Sequence, residues 1–382
     1  MRLLHYAPDE KFMDFFAGLI GSVPGSTHRF VIHTSNPRAG LSRIRSFVPH
    51  RLVDGRAYVR SGTAEEDLAS CDALVVHHLD PAAARLASRA PGRLPVVWSG
   101  WGSDYYHLLA GGDAALLGPE TSRLVRRTFS RKAKTALSPA WRLYLRHRWL
   151  LPAIRRVRLF SAPIPGDYEL LRLALGSAFA ADFIQLNYAE VEASFALRGD
   201  GPSGADIAVG NSATPTNNHV EVFRMLANHD LRGRKVVVSL SYGPRDYREA
   251  VIAAGRRFLG AHFEPLVDFL PLRLFNSRLS RCSIAVMNHY RQQALGTIGS
   301  LMHAGAKLVL AERGATYAFF RGQGAHVVGT GLLNGTSETL FRPLSDQERN
   351  HNRSVLEAFW GRDRVRANVE HFLRTIDRLS HA

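Results

Sequence analysis

SIAVMNHYRQQALGTIGSLMHAGAKLVLAER, residues 283–313, encodes one complete strand–loop–helix–strand unit, and the class of fold can be read from it. It opens on a short apolar run, Ile284, Ala285 and Val286, the pattern of a strand covered on both faces. A polar loop from Asn288 to Leu295 follows. Gly296-Thr297 then opens a helix whose Ile298, Leu301 and Met302 fall on one face. Gly305 is placed to stop that helix, and Leu308-Val309-Leu310 forms the next strand. Thr297 is a candidate N-cap. Such a helix start is a ready anion site, because its first amides lack intrahelical partners and its dipole favours negative charge. Gly296 would let a diphosphate approach the backbone. Arg291, beside Gln292 and Gln293, would neutralise its charge. A purely structural strand–turn–helix has the same pattern.

The rest of the second half repeats the alternation. Asp206–Val209, Lys235–Leu240, Phe263–Pro265, Ser283–Met287 and Lys307–Leu310 read as strands. His219–Asn228, Asp246–Leu259, Leu270–Arg281 and Thr297–Ala304 read as helices between them. The first half does likewise, with strands at Arg2–Tyr6, His28–Thr34, Ala73–His78, Pro95–Ser99, Leu159–Pro163 and Asp182–Tyr188. Its helices are Lys11–Ile20 and Ala64–Ala69. Alternation of this kind predicts parallel sheets with helices on both faces. Arg198-Gly-Asp-Gly-Pro-Ser-Gly204 reads as a linker. The expectation is an α/β protein of the GT-B type, with two Rossmann-like domains facing across a cleft, at 1–200 and 205–361. A polar C-terminal helix, 362–382, would pack back on the first domain. Ligands of such sheets sit beyond the carboxyl ends of the strands.

At 382 residues the chain exceeds what one core usually spans, which agrees with two domains. Two cysteines far apart, Cys71 and Cys282, match no metal spacing and suit a reducing compartment. Met1 runs straight into a short strand, with Asp9, Glu10 and Lys11 behind it, unlike a signal peptide. The longest apolar region, Leu170–Leu186, is broken by Arg172 and Asp182, so no transmembrane helix is expected. A net charge of +16 implies a polyanionic partner. Much of it lies between Thr121 and Phe160. There Arg123, Arg126, Arg127, Arg131, Lys132, Arg155 and others meet no Asp or Glu, and Trp141, Tyr144 and Trp149 are interleaved. Arginines beside aromatics suit an anionic membrane surface; a solvated basic helix pair is the plainer alternative. No nucleic-acid-binding pattern accompanies the charge.

Other candidate residues follow strand ends. In Val209-Gly-Asn-Ser212, Gly210 permits a tight turn, and Asn211, Ser212 and Thr214 can donate to phosphate oxygens. Asn217 or Asn218 would otherwise serve only to cap the helix that contains His219. Tyr242-Gly243 ends the next strand and could flank a base or sugar, or form a plain turn. Glu312 could hold ribose hydroxyls or stand as a solvated loop glutamate. In the first half, Trp98-Ser-Gly-Trp-Gly-Ser-Asp104 places two tryptophans, two glycines and a carboxylate directly after a strand. Trp101 and Gly102 would shape an acceptor wall. Asp104 could be a general base or a helix cap; His77 and His78 are alternative bases or acceptor-binding groups, or simply core or capping histidines. Ala7-Pro-Asp-Glu10 stands where a dinucleotide fold needs a glycine-rich turn, and no P-loop or Asp-x-Asp sequence occurs. No cofactor and no metal are therefore expected, the helix dipole and Arg291 stabilising the leaving diphosphate.

Arg291-Gln-Gln-Ala-Leu-Gly-Thr297, with Leu301 and Gly305, resembles the motif of glycosyltransferase family 56. Val209-Gly-Asn-Ser212 with Asn217 and His219 resembles that family's VGNS…N-x-H segment. Val236-Val-Val238 with Tyr242, Gly243 and Pro244 resembles VVVPMGYPP. Trp101-Gly102-x-Asp104-x-Tyr106 resembles WGADLY, and Gly166-Asp167 resembles RGDLSFF. The basic aromatic insertion is longer than the family's pattern. The paired glutamates of a large retaining GT-B family are absent, with Gln293 and Leu301 in their places. The resemblance implies transfer of a deoxyamino sugar, such as 4-acetamido-4,6-dideoxygalactose, from a TDP-sugar donor. The acceptor would be a polyprenyl-diphosphate-linked saccharide, as in enterobacterial common antigen, met on the cytoplasmic face of the inner membrane. A nucleotide-sugar epimerase of the same shape would not need the basic aromatic surface. A non-catalytic basic protein would not need two phosphate-facing loops in one half.

Overall fold

A computed structural model describes residues 1–109, 111–129, 146–195 and 201–381. Two parallel sheets organise the chain. The first contains β1 (Arg2–Pro8), β2 (Thr27–His33), β3 (Arg51–Val53), β4 (Ala73–His77), β5 (Val96–Ser99), β6 (Val157–Ser161) and β7 (Asp182–Phe183). Its strand order is β3-β2-β1-β4-β5-β6-β7. The second contains β8 (Asp206–Val209), β9 (Val236–Ser239), β10 (Phe263–Leu266), β11 (Cys282–Met287), β12 (Lys307–Leu310) and β13 (Val327–Gly329). Its order is β10-β9-β8-β11-β12-β13. In each sheet the chain builds outward from one strand, returns beside it and builds the other way. The reversal falls between β1 and β4 and between β8 and β11, the places where such sheets open a crevice for ligands.

The sequence accounts for these strands directly. Helices cover both faces, so β4, β8, β9 and β12 are buried along their whole length and read as near-continuous Val, Leu, Ile and Ala. The charged residues among them, Lys307 and Asp206, are partnered. Lys307 Nζ donates to the carbonyls of Thr339 and Leu340 at 3.1 and 3.0 Å. Asp206 accepts from Arg278, which also forks onto Glu264 at 2.6 and 2.8 Å.

The compact units are not the simple halves expected. One comprises 1–110, 137–190 and 362–382; the other comprises 111–136 and 191–361. The C-terminal helix Arg362–Ser380 places Val369, Phe372, Leu373 and Ile376 in the first unit's core. Residues 111–129, expected in the first domain, belong instead to the second unit. Leu124 and Val125 pack on that unit's core. Glu221 accepts the backbone N–H and hydroxyl of Thr121, at 2.8 and 2.5 Å. Asn218 accepts the N–H of Gly118 at 2.8 Å and donates to the carbonyl of Leu116. Apolar burial and satisfied polar groups both hold this segment there.

Glu221→Ala strands both donors of Thr121. Leaving partly buried donors unpaired costs about 1–3 kcal/mol. The urea midpoint of the second unit, followed by native-state hydrogen exchange, should fall accordingly; an unchanged midpoint would count against this anchoring.

Candidate functional site

In the second unit, two loops meet at the carboxyl end of the sheet. One leaves β8 and runs to the helix His219–Leu226; the other leaves β11 and runs to the helix Leu295–His303. Gly210 begins the first loop at φ +63°, and a Cβ there would lie 2.7 Å from Asn217 Oδ1 and 3.0 Å from His219 Nε2. Only glycine fits both the conformation and the space. Asn217 is buried and closes the loop. Its Oδ1 accepts from the N–H of Asn211 at 2.8 Å and from His289 Nε2 at 2.8 Å. Its Nδ2 donates to Ser212 Oγ, to Thr214 Oγ1 and to the Thr214 carbonyl.

Gln293 joins the two loops. Its Oε1 accepts from Thr216 Oγ1 at 2.7 Å and from Arg291 Nε at 3.0 Å, while its Nε2 donates to Asn211 Oδ1 at 2.9 Å. Thr297 is not the N-cap. Ala294 enters the helix in a left-handed conformation, φ +64°, so the helix begins at Leu295 and Thr297 falls on its third residue. The first-turn amides of Leu295, Gly296 and Thr297 remain the orphan donors of a helix start. Gly296 is exposed, with no atom within 4 Å of a Cβ built there. Asn218 makes no side-chain cap either. Its amide bridges to the Asn288 carbonyl at 2.9 Å and to the 111–129 segment.

The third loop, at Tyr242-Gly243, is locked to the first. Ala213 N–H donates to the Tyr242 carbonyl, and a Cβ on Gly243, at φ +114°, would lie 2.1 Å from the Ala213 carbonyl oxygen. Tyr242 is 38% exposed and sets its ring edge-on to Phe269, which is 71% exposed. Glu312 accepts from Thr330 Oγ1 and Gly331 N–H at 2.7 and 2.9 Å. Burial raises its carboxyl, but those bonds outweigh it and hold it below the usual range. Gln292 is buried within the same loop as Arg291.

Burial depresses His289 to about 3, reinforced by Arg291 and His219, and depresses His219 to about 3. Both are therefore neutral imidazoles, and Arg291 supplies positive charge beside the loop pair. Side-chain hydroxyls, an arginine and a helix start converging at a sheet's switch point have the chemistry to meet phosphate oxygens.

In the first unit, the loop after β5 is built around Asp104. Its Oδ2 accepts from Leu79 N–H at 2.9 Å and Trp98 Nε1 at 2.8 Å, and its Oδ1 from Trp101 N–H at 2.8 Å. Only 3% of Asp104 is exposed. It neither caps a helix nor stands open to a substrate as a general base must; it shapes the loop. Asp167 fixes the loop's far end, accepting from the Tyr105 and Tyr106 hydroxyls. Trp101 is half-buried among Phe12, His78 and Tyr188, and Gly102 is buried. His78 is partly exposed at φ +68°, with Nε2 3.0 Å from Ser103 Oγ. His77 is fully buried between His5 and Tyr188.

Of the basic segment, Arg126 and Arg127 are exposed on the helix Pro119–Phe129. Trp149 is half-buried, with the Arg85 guanidinium 4.6 Å over its ring. Arg131, Lys132 and Trp141 lie outside the described residues. Among the described residues no helix is long and apolar enough to cross a membrane. Nor does any group of three His, Cys, Asp or Glu there have the makings of a metal site.

Nothing in the sequence pattern pointed to Thr216 or His289. His5 did leave a signal, as a polar residue inside the apolar run Leu3–Ala7.

The two-sheet architecture is the GT-B fold. It is shared across nearly full lengths with the sucrose-phosphate synthase of Thermosynechococcus elongatus, at TM-score 0.71 and 9% identity, covering 99% of each chain. The lipopolysaccharide outer core galactosyltransferase WaaB aligns at 0.61 and 10%, covering 98% of this chain and 99% of that one. Anabaena HepE, solved with UDP and glucose, aligns at 0.63 and 11%, covering 98% and 100%. No curated protein matches the sequence. Residues 191–324 match the family model described as 4-alpha-L-fucosyltransferase glycosyl transferase group 56. Fold and family match together define a glycosyltransferase of the GT-B type. The matched segment contains both loops joined by Gln293 and excludes the Trp101 and Asp167 motifs.

Acid should unfold the protein early. His28 is held to about 4 by burial, and His77, His219 and His289 to about 3. These rings are neutral in the fold but take up protons once unfolded, below the ordinary value of about 6.5. Stability is thus fully present above about pH 6.5 and falls below it, each such ring adding to the loss. Urea midpoints at pH 7 and pH 5 test this. The midpoint should drop sharply; a flat profile would contradict the neutral buried state.

Proposed function

We propose that the protein transfers a deoxyamino sugar, such as 4-acetamido-4,6-dideoxygalactose, from a TDP-sugar to a polyprenyl-diphosphate-linked saccharide. The observation that carries this reading is the Gln293 bridge, which sets Ser212, Thr214, Arg291 and the Leu295 helix start around one strand-end crevice. A nucleoside diphosphate fits it. The helix start and Arg291 meet the diphosphate charge, hydroxyls meet its remaining oxygens, and Glu312 is a carboxylate at the end of β12 for ribose hydroxyls. Charge that builds on the departing diphosphate is met by these fixed donors without a metal. The choice of sugar and acceptor class rests on the resemblance of these motifs to family 56, whose model matches residues 191–324. The net charge of +16, with Arg123, Arg126 and Arg127 exposed on one helix, supports a peripheral position on an anionic inner-membrane surface.

Arg291→Ala removes a charge-assisted contact to phosphate, an effect of about 1.5–3 kcal/mol. Calorimetric titration with thymidine or uridine diphosphate should show affinity reduced about tenfold to a hundredfold, with the fold intact by circular dichroism. Unchanged affinity would refute the site. Affinity abolished by chelator and restored by magnesium would refute its independence of metal.

The membrane component makes a separate expectation. Sedimentation with liposomes containing anionic lipid should capture the protein at low salt and less of it as salt rises, since about 10 Å screening at 0.1 M weakens exposed charges. Arg126→Gln with Arg127→Gln should lower the captured fraction. Wild-type protein that ignores anionic liposomes at low salt would refute the surface.

A further inference from the structure

One continuous line of polar groups crosses the largely apolar sheet of the first unit. Ser26 Oγ lies 2.9 Å from His28 Nε2, His28 Nδ1 lies 3.1 Å from His5 Nε2, and His5 Nδ1 lies 3.0 Å from His77 Nε2. His77 Nδ1 meets the Tyr188 hydroxyl, which lies 2.7 Å from Ser99 Oγ. All three rings use both nitrogens. The register explains the line. His5 on β1 sits opposite Phe30, two residues past His28 on β2, and opposite Val75, two residues before His77 on β4. His77 and Ser99 are the last residues of β4 and β5, at the sheet's ligand-binding end. Ser26 and His28 are partly exposed, His5 and His77 are fully buried, and Tyr188 is again partly exposed.

A neutral imidazole donates through one nitrogen and accepts through the other. The whole line is therefore satisfied in two concerted senses, with donors all directed toward Ser26 or all toward Ser99. Passing from one sense to the other moves one proton from end to end without displacing a ring. Burial keeps His28 at about 4, His77 at about 3 and His5 well below the ordinary imidazole value, so the rings are neutral near pH 7. The charged groups facing the line are the Met1 ammonium at the His28 end and Asp104 near Tyr188; Phe16, Phe30 and Trp101 supply the rest of its surroundings. A row of apolar side chains would fill this space without burying polar nitrogens.

We propose that this line is a proton relay, carrying to solvent at Ser26 the proton released when a hydroxyl held at Tyr188 is glycosylated. The inference rests on the transferase reading above. As the acceptor oxygen bonds to the anomeric carbon and the bond to the leaving diphosphate breaks, the hydroxyl proton passes to the Tyr188 oxygen. Tyr188 gives its own proton to His77 Nδ1, His77 gives that on Nε2 to His5 Nδ1, and His5 gives that on Nε2 to His28 Nδ1. His28 gives its Nε2 proton to Ser26, whose proton goes to water. Tyr188 touches the substrate; the histidines act through it.

His28→Gln keeps a hydrogen-bonding side chain at the outer end but cannot pass a proton on. It should leave the melting temperature and nucleoside diphosphate affinity unchanged. It should lower kcat about tenfold or more, since general acid–base transfer contributes about 10²–10⁴-fold where it operates. Imidazole added to the buffer should restore the rate. Full kcat, or a loss that imidazole does not rescue, would overturn the relay. Two-bond nitrogen–nitrogen couplings in histidine-labelled wild-type protein report the line without any turnover. Couplings from His5 to both His28 and His77 are expected, and their absence would overturn the line itself. A wild-type protein that binds no nucleoside diphosphate would instead overturn the transferase reading, a separate failure.

Discussion

The side-chain amide of Asn217 is the constraint around which the second unit's site is arranged. One carbonyl oxygen holds the backbone of Asn211 and the ring of His289 together, and one NH2 holds Ser212 and Thr214. Two loops that leave different strands are thereby closed onto one point. Gly210 is required because its missing side chain is where that amide sits. His289 donates its Nε2–H to that oxygen as a neutral ring, burial keeping it uncharged. Gln293 can then reach across to Asn211 and Thr216, presenting Arg291 beside the helix start. An Asp at 217 would keep the acceptor but bring a buried charge and lose the two donors, so the shape of the residue alone would not suffice.

Much of this was legible in the sequence because periodicity reports burial. Runs such as Val236-Val-Val238 and Leu308-Val309-Leu310 have one explanation, a strand covered on both faces, and both are strands. The glycines at 210 and 243 marked turns, and the helix after β11 announced its apolar face. What the sequence hid were decisions made by tertiary partners. Thr297 has the chemistry of an N-cap, yet Ala294 in a left-handed conformation starts the helix earlier. Asp104 has the chemistry of a base, yet three donors from Leu79, Trp98 and Trp101 converge on it and bury it. The segment 111–129 follows the first sheet in sequence, but Glu221 and Asn218 hold it to the second unit. No local pattern records a partner a hundred residues away.

The two units arrange their polar groups differently. In the second, polar side chains cluster at strand ends, where a phosphorylated ligand can use them. In the first, a line of imidazoles runs through the sheet, and Asp104 and Asp167 organise the loop at its carboxyl end. That division suits an enzyme that must bind a charged donor and handle a proton from an uncharged hydroxyl. The basic helix Pro119–Phe129 adds a third element, anchored through the same Asn218 that bonds the loop after β11.

If the nucleoside diphosphate occupies the crevice between the loops after β8 and β11, a photoreactive nucleotide must label those loops. Photocrosslinking with an azido-nucleoside diphosphate, mapped by mass spectrometry, reads this out. Label should concentrate in peptides spanning residues 209–218 and 288–297 and be displaced by unlabelled nucleotide. Displaceable label confined to the first unit would contradict that placement.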